Sequence, residues 1–243
     1  MAAFVDRALT PAIRAGAVMV KFLDALFPSV LRAIIGGVYD DRVSRTKLPN
    51  ILIILVDDMG YGDLGSYNSD SKIPTPHLDK LSQEGVHFTD AHAPGPLCHL
   101  SRYGLMTGRY PFRANTTAWR RQPSIKSGQL TIASLLKTKG YNTAMVGKWH
   151  LGFKEEGYEE PLSGGPVDVG FNSFFGIRAS TDIPPYFYIR GRRAVQPPTS
   201  SITANGSEGW SRIQGAFWRA GGIAPDLKLC LLYTSPSPRD RVQ

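Results

Sequence analysis

The chain has 243 residues, 42% of them hydrophobic and 20% charged, enough for a sizeable core in one or two globular domains. Its formal charge of +8 gathers in clusters such as Arg120-Arg121 and Arg190-Gly191-Arg192-Arg193, which suit a solvated basic face or an anionic substrate. No nucleic-acid motif accompanies the charge, two cysteines (Cys98 and Cys230) cannot build a disulfide framework, and no stretch reaches the ~18 uncharged apolar residues of a membrane span.

In chain order, residues 1–48 form a leader. Ala12 to Gly37 is apolar but carries Arg14, Lys21, Asp24 and Arg32 and is broken by Pro28, so it predicts two short amphipathic helices, with interfacial membrane contact as a second role. Lys21 and Asp24 interrupt any signal-peptide core. Asn50 to Val56 reads as a buried strand running into Asp57-Asp58 and a glycine-rich loop. A helix follows from about His77 to Glu84, with Thr75 as cap, Pro76 in its first turn and Gly85 at its end. Val86 to Ala91 alternates as a strand.

Pro94-Gly95-Pro96 breaks that pattern, and a helix is expected from Cys98 to about Met106, stopped by Gly108. Leu130 to Lys139 is another amphipathic helix, and Tyr141 to Val146 a strand that delivers Lys148 and His150. The alternation argues for an α/β fold with a largely parallel sheet. Proline and glycine dominate from Glu155 onwards, which predicts long loops. Leu231 to Arg241 resembles translated sequencing-adaptor read-through. Residues 229–243 are therefore expected to be a disordered or artefactual tail, and residues 49–228 the N-terminal part of a catalytic domain.

Three segments carry chemistry. Cys98 and Arg102 stand four residues apart and share a helix face, with Cys98 in the first turn, where backbone N–H groups favour an anion. Asp57 and Asp58 leave a strand together, as ligands of a hard cation or as a plain capped loop. Lys148 and His150, two apart, fall on one side of extended backbone, and Trp149 points the other way into the core. Ser180 reads from its surroundings as a turn former. His77, His87, His92 and His99 lack metal-ligand spacing and read as surface or core residues.

Together, Asp57-Asp58, Cys98-His99-Leu100-Ser101-Arg102 with Leu105-Met106-Thr107-Gly108-Arg109, and Gly147-Lys148-Trp149-His150-Leu151-Gly152 resemble the active-site segments of the type I sulfatases, over roughly Pro49 to Leu227. The resemblance implies an alkaline phosphatase-like three-layer α/β/α fold with a largely parallel central sheet, incomplete here. It implies a sulfuric ester hydrolase whose Cys98 is oxidised to formylglycine by a formylglycine-generating enzyme. One calcium ion is implied, with Asp57, Asp58 and Cys98 as this chain's share of its surroundings. Arg102 would steady the modified residue, Lys148 and Ser180 would bind sulfate, and His150 would bond the nucleophile's second hydroxyl. Sulfated carbohydrates or aryl sulfates would be the substrates, in an exported, lysosomal or other secretory compartment.

One position departs from the family pattern: Leu100 stands where Cys-X-Pro-Ser-Arg has proline. It leaves two alternatives beside the sulfatase reading. One is a phosphate or phosphonate ester hydrolase of the same superfamily. The other is a non-catalytic pseudosulfatase that binds sulfated glycans. The second pair of calcium ligands would lie beyond Gln243, so the chain as written is expected to be inactive and to expose apolar surface.

Overall fold

The computed structural model describes residues 48–204 and 218–227, together with the strand backbone at 13–14 and 18–21. The chain divides into two compact units, one from Met1 to Ala93 with Val242–Gln243, the other from Pro94 to Arg241.

In the first unit, β1 (Ile13–Arg14) runs parallel to β4 (Ala91–His92), and β2 (Val18–Lys21) runs antiparallel to β3 (Leu52–Leu55). The expected leader helices are thus replaced by strand at 13–14 and 18–21, where the β-branched Val18 and Val20 lie opposite Leu55 and Ile53. The rest of the leader, and the tail at 229–243, lie outside the described residues. The strand expected to be buried is only half so, because Leu52 and Ile54 face outwards.

The loop after β3 is closed by side chains. Gly60 N–H donates to Asp63 Oδ2 at 2.6 Å, Ser66 N–H to Asp79 Oδ1 at 2.8 Å, and Ser71 Oγ to the Asp63 carbonyl at 2.8 Å. Helix α1 (Pro76–Glu84) begins at Thr75 and ends at Gly85 as its punctuation requires, although Thr75 Oγ1 donates to Asp79 rather than capping the backbone. The strand expected over Val86 to Ala91 shrinks to β4. His87 is instead held by Ser82 Oγ, 2.9 Å from its Nδ1, and by the edge of the Tyr67 ring.

The second unit opens with α2 (Cys98–Thr107), ended by Gly108 in the left-handed conformation at φ 65°. Helix α3 (Ile132–Thr138) starts from a reciprocal cap in which Thr131 Oγ1 accepts from Ser134 N–H and Ser134 Oγ from Thr131 N–H. A four-stranded sheet follows in the order β5 (Ala144–Lys148), β6 (Ser173–Ile177), β7 (Tyr188–Arg190), β8 (Arg193–Ala194). Its first pair is parallel and the others antiparallel, so the described sheet is mixed. Strand β9 (Ser200–Ile202) pairs antiparallel with β10 (Gly221–Ile223).

These strands correct the expectation of loops after Glu155. Each is only two to five residues long, and the longest, β6, contains a glycine that close strand approach demands: a Cβ on Gly176 would lie 1.8 Å from the Gly147 carbonyl oxygen of β5. Strand β5 also begins three residues later than expected, because Thr143 is bound to Asn172 and to the Gly170 carbonyl. One face of the β5–β6 pair packs Phe174 and Met145 into a core with Tyr103, Trp149, Phe153 and Ile189. The other face leaves Val146 80% and Phe175 38% exposed.

Candidate active site

Helix α2 is set by what precedes it. Leu97 caps it with extended backbone and no side-chain bond, and Ser101 Oγ donates to the Gly95 carbonyl at 2.8 Å, folding the Pro94-Gly95-Pro96 segment back on the helix. A Cβ on Gly104 would lie 2.3 Å from Pro94 Cγ, and one on Gly95 would lie 2.6 Å from Leu100 Cβ. Cys98 is therefore the first helical residue, half buried, and Leu100 is the third. Proline is tolerated in the first turn of a helix, where N–H groups lack i−4 partners. At position 100 it would forfeit only the 3.1 Å bond from Leu100 N–H to the Leu97 carbonyl. Leucine and proline thus support the same folded geometry here.

Arg102 is buried one turn on, and its Nη1 donates to the Lys148 carbonyl at the C-terminal end of β5. The helix bearing Cys98 is tied in this way to the strand exit bearing Lys148. Beyond Lys148 the backbone is not extended: His150 sits at φ 60°. The sequence argument for Lys148 and His150 sharing one side of a strand therefore fails, since the strand ends at Lys148. Trp149 is core, as expected, 1% exposed with its Nε1 donating to the Gly152 carbonyl at 2.9 Å. Gly152 has φ 82°, and a Cβ there would lie 2.2 Å from the Gln122 carbonyl oxygen, so only glycine lets this turn meet the 119–122 segment.

His150 is 4% exposed and meets the Trp119 ring edge-on at 4.3 Å between centroids. The His99 ring lies 5.6 Å from that of His150 and 5.7 Å from that of Trp119. Burial, then the nearby charges of Lys148 and Arg120, hold His99 below the usual histidine range, so its imidazole is neutral at neutral pH. Within this unit Cys98, Arg102, Lys148 and His150 thus belong to one neighbourhood of α2 and the β5 exit, rich in positive charge. Ser180 is half buried, and its carbonyl accepts from Ile183 N–H at 3.1 Å, which makes it a turn residue.

Asp57 and Asp58 belong to the first unit, where they leave β3 with exposed carboxylates, Asp58 in the left-handed region at φ 60°. Adjacent hard oxygen donors fit a divalent cation such as calcium.

Sequence reasoning missed a second group of residues. Arg178, 6% exposed at the end of β6, donates through Nε to Glu155 Oε1 at 2.5 Å and through Nη2 to the Arg120 carbonyl at 2.6 Å, while its own carbonyl accepts from His150 N–H at 3.0 Å. Tyr158 donates to Glu155 Oε2 at 2.9 Å. Its hydroxyl is pushed up to about 12 by burial and by the Glu155 charge. His99 and the Arg120-Arg121 pair, read from sequence as background, are part of the same surroundings. Trp119 beside two arginines was the available signal.

A family model described as Sulfatase matches residues 49–205. The chain is 37% identical over 175 residues to an N-acetylgalactosamine-6-O-sulfatase of Bacteroides thetaiotaomicron, covering 69% of this chain and 34% of that protein. It is 44% identical over 141 residues to arylsulfatase A of Bos taurus, covering 56% and 27%. It is 40% identical over 138 residues to steryl-sulfatase of Homo sapiens, covering 53% and 23%. A solved structure from work on glycosaminoglycan metabolism by Bacteroides thetaiotaomicron superposes with a TM-score of 0.54 at 33% identity, over 62% of this chain and 34% of the other. The chain spans about a quarter to a third of the length of these relatives. With its α/β architecture and the matched segments together, the chain belongs to the type I sulfatases, a family of enzymes with the alkaline phosphatase-like fold.

Proposed function

We propose that this chain is the N-terminal part of a calcium-dependent sulfuric ester hydrolase acting on sulfated carbohydrates or aryl sulfates, with Cys98 as the precursor of its nucleophile. The observation that carries the reading is the tie from Arg102 to the Lys148 carbonyl, which joins the helix that begins at Cys98 to the strand exit that bears Lys148 and His150. The exposed Val146 and Phe175 on one face of the β5–β6 pair support the view that this is part of a larger domain.

Each side chain has a role that its chemistry fits. Oxidised to formylglycine, residue 98 would supply an oxygen nucleophile that a plain thiol does not. Lys148 neutralises a sulfate oxygen with a compact ammonium charge. Arg102 is committed by its bond to Lys148 and fixes the spacing between that ammonium and residue 98. His150, locked against Trp119, is the group to hold a proton at the residue-98 oxygen. Asp57 and Asp58 would hold calcium, which would counter the negative charge of the sulfate group. A formylglycine-generating enzyme is the maturation partner this scheme needs.

Leu100 favours a second reading, the glycan-binding pseudosulfatase, because the modifying enzyme reads the motif in an extended chain. The folded geometry gives leucine no penalty at this position. A form carrying the complete family domain should turn over an aryl sulfate faster than the matching aryl phosphate, and Cys98→Ala should abolish turnover. Turnover unaffected by Cys98→Ala would remove the proposed nucleophile. Binding of sulfated glycans without hydrolysis would favour the pseudoenzyme.

A further inference from the structure

Outside the residues assigned above, a cleft of about 350 Å³ opens in the second unit, lined by Arg120, Arg121, Arg178, Glu155, Tyr158 and Ile183 among others. Its one acidic residue is already committed. Glu155 receives Arg178 on one oxygen and Tyr158 on the other, and its side chain is 7% exposed. The raised pKa of Tyr158 keeps that phenol a donor across the physiological range. The cleft therefore presents unbalanced positive charge from Arg120 and Arg121 beside a saturated carboxylate.

A second observation points to a ligand. Arg178 is 6% exposed, with Nε and Nη2 bonded, yet its Nη1 has no hydrogen-bond acceptor among the described residues. A buried guanidinium N–H without an acceptor is costly, and a carboxylate or sulfate oxygen is a strong acceptor for it. The cleft also adjoins the candidate active site. The Trp119 indole carries His150 at its edge, and the guanidinium carbons of Arg120 and Arg178 lie 5.4 and 5.7 Å from its ring centre. The same indole thus meets His150 and both guanidinium groups.

We propose that this arginine cleft binds an acidic group, carboxylate or sulfate, on the sugar next to the one whose sulfate ester is hydrolysed. The inference rests on the sulfatase reading and narrows its substrate class to glycans with acidic groups on neighbouring residues. Arg178 and Arg121 are then specificity residues, and the neutral mouth formed by Ile183 and the Pro184-Pro185 pair accepts the apolar face of the sugar.

The test is calorimetric titration of a form carrying the complete family domain with a sulfated N-acetylhexosamine linked in turn to a neutral hexose, a hexuronic acid or a sulfated hexose. The uronic-acid or the sulfated-hexose probe should bind about tenfold more tightly than the neutral one. Whichever gains more identifies the acidic group. Arg121→Gln, at an exposed position that should not disturb folding, should erase the gain and leave the neutral probe's affinity unchanged, whereas Lys148→Ala should weaken all three. Equal affinity for the three probes, or an equal loss on all of them in Arg121→Gln, would overturn the cleft proposal while leaving the sulfatase reading in place. Failure of every probe to bind, with an aryl sulfate still bound, would overturn the cleft proposal and leave aryl sulfates as the substrates of the sulfatase reading.

Discussion

After β3 the chain turns through Asp58 at φ 60°, and after β5 it turns through His150 at the same φ, the two left-handed residues other than glycine among those described. The two exits are held in different ways. The first presents exposed carboxylates, and its loop is closed by hydrogen bonds from Gly60, Ser66 and Ser71 around a single fully buried apolar anchor, Leu64. The second buries Trp149, His150, Leu151 and Phe153 one after another and is braced by the Arg178 carbonyl. Aspartate adopts this conformation readily, so the first exit needs little support. A histidine in an apolar wall is held there by packing, and backbone strain of about 1–3 kcal/mol persists only where the surroundings over-determine it. The β3 exit is thus a hydrogen-bonded loop with exposed carboxylates, the β5 exit a packed frame.

Removing the buried ion pair beside the rigid exit should have the largest effect. Arg178→Met leaves the Glu155 carboxylate buried without its partner and is expected to destabilise the second unit by about 3–5 kcal/mol, read by chemical denaturation. Gly152→Ala strains a left-handed position and drives a methyl group into the Gln122 carbonyl, for a loss of about 1–3 kcal/mol. Thr131→Ala removes the cap of α3 and should cost about 1 kcal/mol. Asp58→Asn, at the exit with exposed carboxylates, should leave stability without calcium within about 0.5 kcal/mol of wild type and, if the proposed calcium site holds, abolish any rise in melting temperature on adding calcium. A large loss without calcium would erase the contrast between the two exits.

The rigid exit also carries a pH signature. The folded state holds the His99 pKa down, so the unfolded chain takes up protons first as pH falls. Stability of the second unit should fall as the pH drops below the ordinary histidine value of about 6.5, and His99→Gln should flatten that part of the profile. The smallest effect is expected at Lys80→Ala, which breaks an exposed i,i+4 pair with Glu84 worth at most about 0.5 kcal/mol.

How much of this was legible in the sequence follows the same division. Helices α1, α2 and α3 were readable because Pro76, Gly108 and Thr131 act through local backbone rules. The strands beyond Glu155 were not, because Gly176 looks like a loop former until its neighbour Gly147 is known to lie across from it. The motif residues Cys98, Arg102, Lys148 and His150 could be picked out by spacing and resemblance. The turn that carries His150 could not, since an extended strand was the simplest reading of Gly147 to His150. Arg178 drew no notice because its partner Glu155 is 23 residues away, and periodicity carries no information at that separation. The leader helices failed at 13–14 and 18–21, where long-range pairing overrode an amphipathic pattern.

The central claim is that Cys98 becomes the nucleophile despite Leu100. It is tested most directly by mass spectrometry of the tryptic peptide Leu81–Arg102 after expression in a host that has the formylglycine-generating enzyme. The account predicts an aldehyde at Cys98. An intact thiol there, with the same host converting a Leu100→Pro variant, would contradict it and leave a sulfated-glycan-binding pseudoenzyme as the better reading.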